Sequence, residues 1–121
     1  MTGAAPGIRI KRIYAPAEAA DGARVLVDRL WPRGVSKARA ALALWCKDAA
    51  PSTALRQWFG HEPARWAEFR RRYRAELQAN GAALAPLRDL AARGTVTLLY
   101  AARDEQHNEA VVLREVLGER R

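Results

Sequence analysis

The sequence predicts an α/β domain with an open, mainly parallel sheet flanked by helices. Two observations lead there. Short apolar runs suited to buried strands, RVLVD at 24–28 and TVTLLYA at 95–101, alternate with amphipathic helical stretches. The connections between the runs are long, as crossovers between parallel strands must be. A chain of 121 residues, half of them hydrophobic, is enough for one core. The expectation is a single domain over 1–121, with 1–7 as a flexible N-terminal tail.

Each element has its own signal. Residues 8–14, IRIKRIY, alternate apolar and basic like a half-buried strand. Pro16 to Gly22 reads as a loop, and 24–28 as a second strand. After an excursion over 29–41, Leu42, Leu44 and Cys46 share one face and Trp45 and Lys47 the other, which predicts a third strand over 42–47. Pro51-Ser52 opens a short helix: Ser52 caps it, Leu55, Trp58 and Phe59 form its stripe, and Gly60 ends it.

Residues 62–79 form the clearest helix. Pro63 suits its first turn, and Trp66, Phe69, Tyr73 and Leu77 fall on one face. Glu68, Arg72 and Glu76 stand at i, i+4 spacing, so the cluster Arg70, Arg71, Arg72 and Arg74 reads as a wet, ion-paired surface. Asn80-Gly81 breaks the chain. A helix over 83–93 closes at Gly94, and the fourth strand follows at 95–101. Asp104 is expected to cap a last helix beginning near Glu105, with Ala110, Val112, Leu113, Val116 and Leu117 buried.

Composition bounds the partners. The formal net charge is +8, carried almost wholly by arginine. Lysine occurs only at Lys11, Lys37 and Lys47. A basic balance suits nucleic acid, an anionic membrane or an anionic small molecule. Abundant arginine and alanine are also what a GC-rich genome produces. No apolar run approaches the ~20 residues of a membrane span, MTGAAPG lacks the secretory pattern, and Cys46 is the sole cysteine, so no intrachain disulfide is possible. These features lead to the expectation of a cytoplasmic protein without a membrane partner. Oligomeric state is not legible.

The polar chemistry sits where strands end: Asp28-Arg29-Leu30-Trp31-Pro32-Arg33-Gly34, Lys47-Asp48, and 103–108, RDEQHN. Ligands of open α/β sheets bind beyond the carboxyl ends of the strands. If the three strands are parallel neighbours, these groups meet in one crevice. The segments VDRLWPRG, LWCKD with the following APS, LR and WFGH, WAEFRRRYRAEL and TVTLLYAARDEQHNEAVVLREVL resemble the YeaO-like family of bacterial and archaeal proteins, from about Ile8 to Leu117. The resemblance implies a compact α/β domain and brings no established reaction. Its matching positions are Asp28, Arg29, Trp31, Pro32, Arg33, Gly34, Lys47, Asp48, Trp58, Phe59, Gly60, His61, Asp104, His107 and Asn108. Cys46 lies outside that pattern.

Arginine forks bind carboxylate or phosphate through two parallel hydrogen bonds. Pro32 stiffens the loop and Gly34 frees its end. Arg29, Trp31, Arg33, Gly34, Lys47 and Asn108 are therefore the candidate ligand-binding residues, with spare N–H groups expected over 105–108. The opposing reading is a structural network of Arg29 or Arg33 with Asp28, Asp48 or Asp104. His107, Asp104 and His61 are the catalytic candidates, histidine being the side chain that titrates near neutrality. The stronger opposing readings are that His61 caps the next helix and that His107 is simply a part-buried residue of a first helical turn. Two histidines and one strand cysteine lack metal-ligand spacing, there is no glycine-rich phosphate loop, and no cofactor is expected. Cys46 reads as buried and inert.

Three functions follow. The first is a small enzyme or sensor domain that acts on an anionic small molecule in the strand-end crevice. The second is a nucleic-acid-binding protein using arginine faces and aromatics. The third is an interaction module whose polar loop is only a salt-bridged staple.

Overall fold

The computed structural model describes residues 7–119. Four parallel strands, β1 (Ile8–Arg12), β2 (Ala23–Leu26), β3 (Leu44–Trp45) and β4 (Val96–Tyr100), form one sheet in the order β1-β4-β2-β3. The strands expected at 24–28, 42–47 and 95–101 are thus consecutive neighbours, and the first strand takes the other edge. Residues 1–6 of the expected flexible tail lie outside the described residues. Gly7 does not behave as tail, because its carbonyl accepts the Val96 N–H at 2.7 Å.

The strands alternate between two cores, as a period of two requires. Val25, Val96, Leu98 and Tyr100 face the larger core. Against it pack α2 (Thr53–Phe59), α3 (Trp66–Ala79), α4 (Ala85–Arg93) and α5 (Glu109–Gly118). Leu26 and Leu99 face a smaller core closed by Ile13, Val35 and Ala40, the last on the one-turn helix α1 (Lys37–Ala40). The third strand is shorter than its alternating pattern suggests. Only Leu44 and Trp45 pair in register with β2, flanked by single bonds from Ala43 N–H to Arg24 C=O and from Cys46 N–H to Leu26 C=O.

Helix boundaries follow the cap chemistry. Ser52 Oγ accepts the Leu55 N–H at 3.1 Å, and Gly60, at φ 54°, closes α2. Pro63 begins a 3₁₀ turn that runs into α3. Phe69, Tyr73 and Leu77 are buried and Trp66 half-buried, as the spacing implies. The last helix departs from expectation. It begins at Glu109 rather than near Glu105, and its N-cap is Asn108, whose Oδ1 accepts the Val111 N–H at 3.2 Å. Asp104 caps a turn instead, taking the Gln106 and His107 N–H groups at 2.9 and 3.0 Å.

The arginine face of α3 is neutralised locally. Arg71 and Arg72 both reach Glu68, and together they hold its carboxyl down to about 2, Arg71 contributing most. Arg70 and Arg74 reach Glu115, and Arg74 also Glu119. Glu76 does not join this pattern. It turns inward and accepts both the N–H and the hydroxyl of Ser52, at 2.9 and 2.6 Å, tying α3 to the start of α2.

A buried ion cluster sits beside the beginning of β2. Asp21 is fully buried and accepts from Arg24 at 2.6 Å and Lys11 at 3.0 Å. Burial pushes its carboxyl up, but hydrogen bonds from the Glu18 N–H, Lys11 and Arg24 outweigh that and hold it below the usual range.

Candidate functional site

Neighbouring strands β2 and β4 send their chains to opposite faces of the sheet. The segment after β2 crosses to the smaller core through Val35 and Ala40, whereas the segment after β4 turns to the larger core as α5. Diverging exits leave a gap beyond the carboxyl ends, which is where open α/β sheets bind ligands. Here that gap is a crevice of about 510 Å³. Its walls include Asp28, Arg29, Trp31 and Arg33 from the β2 exit, Ala101, His107 and Glu109 from the β4 side, and Arg56 and His61 from α2 and its end. Phe59 and Phe69 also line it, stacked with centroids 4.3 Å apart.

The structure divides the expected ligand residues. Arg33, Arg29, Trp31 and Asn108 all line the crevice, together with His61 and His107. Arg33 is exposed, and among the described residues no protein group takes its guanidinium in a hydrogen bond; its carbonyl accepts the Tyr14 hydroxyl. Arg29 is committed elsewhere. Its Nε donates to the Pro51 carbonyl at 3.1 Å and its Nη2 to Ala50 at 3.3 Å, fastening the β2 exit to the approach of α2. Its partners are backbone carbonyls, not the acids that a salt-bridged loop would need.

Trp31 donates from its indole to the Val35 carbonyl at 2.7 Å and meets Trp45 edge-on at 5.2 Å, so only part of it faces the crevice. Asn108 is buried and spent on capping: Nδ2 donates to the Asp104 carbonyl while Oδ1 takes Val111. Gly34, at φ 78°, turns the chain outside the crevice lining. Lys47 lies in a different concavity, its ammonium 4.1 Å from the Trp45 ring centroid. The N–H donors expected over 105–108 are partly consumed, since those of Gln106 and His107 go to Asp104.

The catalytic candidates form one pair and one separate group. Asp104 Oδ2 lies 2.8 Å from His107 Nδ1, and the imidazole also makes a T-shaped contact with Trp66, 5.1 Å between centroids. Hydrogen bonding by His107, followed by that of the Gln106 N–H, lowers the Asp104 carboxyl below its ordinary value. His61 has a left-handed backbone, φ 57°, a conformation that costs a side-chain-bearing residue roughly 1–2 kcal/mol. Strain of that kind is tolerated where it positions a side chain, and His61 lines the crevice beside Phe59.

Two carboxyls complete the site. Asp28 Oδ2 accepts the Ala101 N–H at 2.9 Å, bridging the ends of β2 and β4. Glu109, the first residue of α5, is half-buried as a residue, its Oε2 is shut from solvent, and its carboxyl hydrogen-bonds the adjoining Asp28. A helix N-terminus favours a negative charge by ~1 kcal/mol at most in exposed settings. Burial overrides that preference here. It raises the Glu109 carboxyl well above its ordinary value, and the adjoining Asp28 adds to the rise. The sequence marked Asp28 as a strand exit, a position matching the family and an ion-pair partner for Arg29 or Arg33, but not as a site residue, and gave Glu109 no role. The signal for Glu109 was present as Asn108 followed by Glu-Ala-Val, a cap with an acidic first turn.

Cys46 is buried, its thiol pushed up chiefly by burial, and its sulfur lies 3.8 Å from the Ala83 carbonyl. Among the described residues no three His, Cys, Asp or Glu side chains converge as a metal-binding group, and no helix is long and apolar enough to cross a membrane.

Comparison with known proteins agrees with the motif resemblance. The family described as the inactive DUF488-N3 subclade matches residues 7–121. An uncharacterised protein of Mycobacterium tuberculosis is 45% identical over 113 residues, covering 93% of this chain and 95% of its own. The uncharacterised protein YeaO of Escherichia coli K12 is 46% identical over 110 residues, covering 91% and 96%. No solved structure gives a significant match. The chain belongs to the YeaO-like family, in the branch described as the inactive DUF488-N3 subclade.

Proposed function

We propose that this protein binds a small anionic molecule with a flat apolar body in the strand-end crevice. The observation that carries the reading is the convergence of Arg33, Arg56 and His61 on one cavity lined by Phe59 and Phe69, with no protein partner for their side-chain nitrogens among the described residues. An arginine that is already placed and unpaired binds a carboxylate or phosphate without first breaking an internal bond. His107, oriented by Asp104, adds a further polar group to the same wall. Glu109 opposes an anion little, because its carboxyl holds its proton well above the ordinary range.

The reading is one of binding rather than turnover. The family description as an inactive subclade agrees with it. In this account His107 and His61 hydrogen-bond the ligand, and Asp104 orients His107. Nucleic-acid binding through the α3 arginines is the weaker reading, since Glu68, Glu115 and Glu119 already occupy them.

The test is calorimetric titration of benzoate and of inorganic phosphate into wild type and Arg33→Ala, with thermal melts of both. The expected result is millimolar or tighter binding of at least one anion, weakened tenfold or more in the variant, with unchanged melting. Absence of binding by either anion would overturn the reading. So would tight, salt-steep binding of single-stranded DNA at ~150 mM salt, where scattered surface contacts are screened.

A further inference from the structure

Three arginines line the crevice, and hydrogen bonding divides them. Arg29 is committed to the Pro51 and Ala50 carbonyls. Arg33 and Arg56 are exposed, and among the described residues no protein group takes either guanidinium. Both stand on fastened backbone. The Tyr14 hydroxyl holds the Arg33 carbonyl at 2.9 Å, and the Trp31 indole holds the Val35 carbonyl at 2.7 Å, so the chain is tied on both sides of the Arg33 side chain. Arg56 belongs to α2, whose start is capped by Ser52 and tied through it to Glu76 of α3. Two guanidinium forks thus enter one cavity from two separate elements, with anchored backbones and free heads. Such placement lowers the ordering cost of binding.

Oxygen count and charge decide what fits. A carboxylate has two oxygens, and one arginine fork fills both. A second free fork in the same crevice exceeds what a carboxylate needs. A phosphate monoester has three terminal oxygens and close to two negative charges at neutral pH, so it occupies both forks. The walls carry a matching charge. Three arginines stand against Asp28 and Glu109, and those two carboxyls share one proton in their mutual hydrogen bond, which leaves two positive charges in excess. His61 and His107 line the same walls as further hydrogen-bonding groups. A crevice of about 510 Å³ takes a small phosphorylated molecule whole. The surroundings do not suit a peptide. Leu30 is the one exposed large hydrophobic among the described residues, so no apolar strip adjoins the crevice for a chain to lie along.

We propose that the crevice is a site for a phosphate monoester on a small flat molecule, with Arg33 and Arg56 clamping the phosphate and Arg56 selecting it over a carboxylate. The inference rests on the anion reading above and names the ligand class for that site. The stacked Phe59 and Phe69 supply apolar surface for the ring that carries the phosphate.

The experiment is calorimetric titration of the full chain with three probes that share one ring: benzoate, phenyl sulfate and phenyl phosphate. At about pH 7.5 the phosphate ester carries close to two charges, the other two probes carry one each, and free imidazoles are mostly neutral. The expected result is that phenyl phosphate binds about tenfold tighter, or more, than either benzoate or phenyl sulfate. Arg56→Ala should erase that advantage while leaving benzoate within about threefold of wild type, because one fork suffices for a carboxylate. Arg56→Lys keeps the charge without the fork and should restore the advantage only in part. Equal affinity for phenyl phosphate and benzoate, or for phenyl phosphate and phenyl sulfate, overturns the proposal and leaves the anion reading intact. Loss of all three probes alike in Arg56→Ala does the same. Failure of every probe to bind wild type overturns both. A phosphotyrosyl peptide that binds far tighter than phenyl phosphate overturns the assignment to a small molecule. The wild-type selectivity decides the matter even if the variants fail to fold.

Discussion

Asp104 holds His107 by two bonds, its Oδ1 taking the backbone N–H at 3.0 Å and its Oδ2 facing ring Nδ1 at 2.8 Å. The imidazole is thereby fixed in orientation at the edge of the crevice. The same carboxylate also closes the turn before α5 through the Gln106 N–H. Because folding lowers the carboxyl's proton affinity, chiefly through His107, the linked stability is present above the unfolded carboxylate range and is lost as pH falls through the folded value. Thermal melts from pH 7 down to 3 should show wild type losing its advantage over Asp104→Asn in acid. Parallel pH profiles of the two proteins would contradict the assignment.

Arg29 and Arg33 stand four residues apart, yet substitution should separate them. Arg29 donates to two backbone carbonyls, and Arg29→Ala leaves part-buried acceptors unmatched, at a cost of about 1–3 kcal/mol in urea unfolding. Arg33 is exposed with no side-chain partner, and Arg33→Ala should change stability by no more than ~0.5 kcal/mol while removing anion binding. Equal stability losses would assign both residues to the scaffold.

His61 is strained, and relief of that strain should be measurable. His61→Gly keeps the left-handed backbone without its steric cost, gaining up to ~1 kcal/mol after allowance for the extra chain entropy of glycine. Binding of benzoate should weaken in the same variant. A destabilised variant with unaltered binding would show that His61 is held for packing on Phe59 alone.

Two glycines with positive φ should respond very differently to alanine. At Gly22, φ 65°, an added Cβ would lie 2.3 Å from the backbone carbonyl oxygen of Thr95, the residue that leads into β4. Gly22→Ala should therefore prevent stable folding or cost several kcal/mol. Gly34, φ 78°, has nothing within 4 Å, so Gly34→Ala pays only the left-handed penalty of roughly 1–2 kcal/mol. Circular dichroism and urea titration of both variants check the ranking.

The alternation of strand and helix was legible because RVLV and TVTLLY are apolar on both faces, as parallel strands between two packed layers must be. The Trp66, Phe69, Tyr73 and Leu77 stripe was legible for the same reason of period. The start of α5 was not. Asp104 and Asn108 are both competent caps, and only the turn closed by Asp104 decides that Asn108 has the role. Lys47 looked like a crevice residue because it ends a strand, but β3 lies at the sheet edge, where Trp45 draws the ammonium onto its ring. Glu109 was invisible as a site residue because an acid in a first helical turn is ordinary. Its burial against Asp28 depends on β2 and β4 being neighbours, which is a tertiary fact.

The most direct test of the central claim is an amide NMR titration of benzoate into the uniformly labelled protein at physiological salt. The account predicts saturable shifts confined to residues 28–33, 59–61, 101–102 and 107–109, the segments that wall the crevice. Shifts centred on Arg70–Arg74 of α3, or none up to millimolar probe, would contradict it.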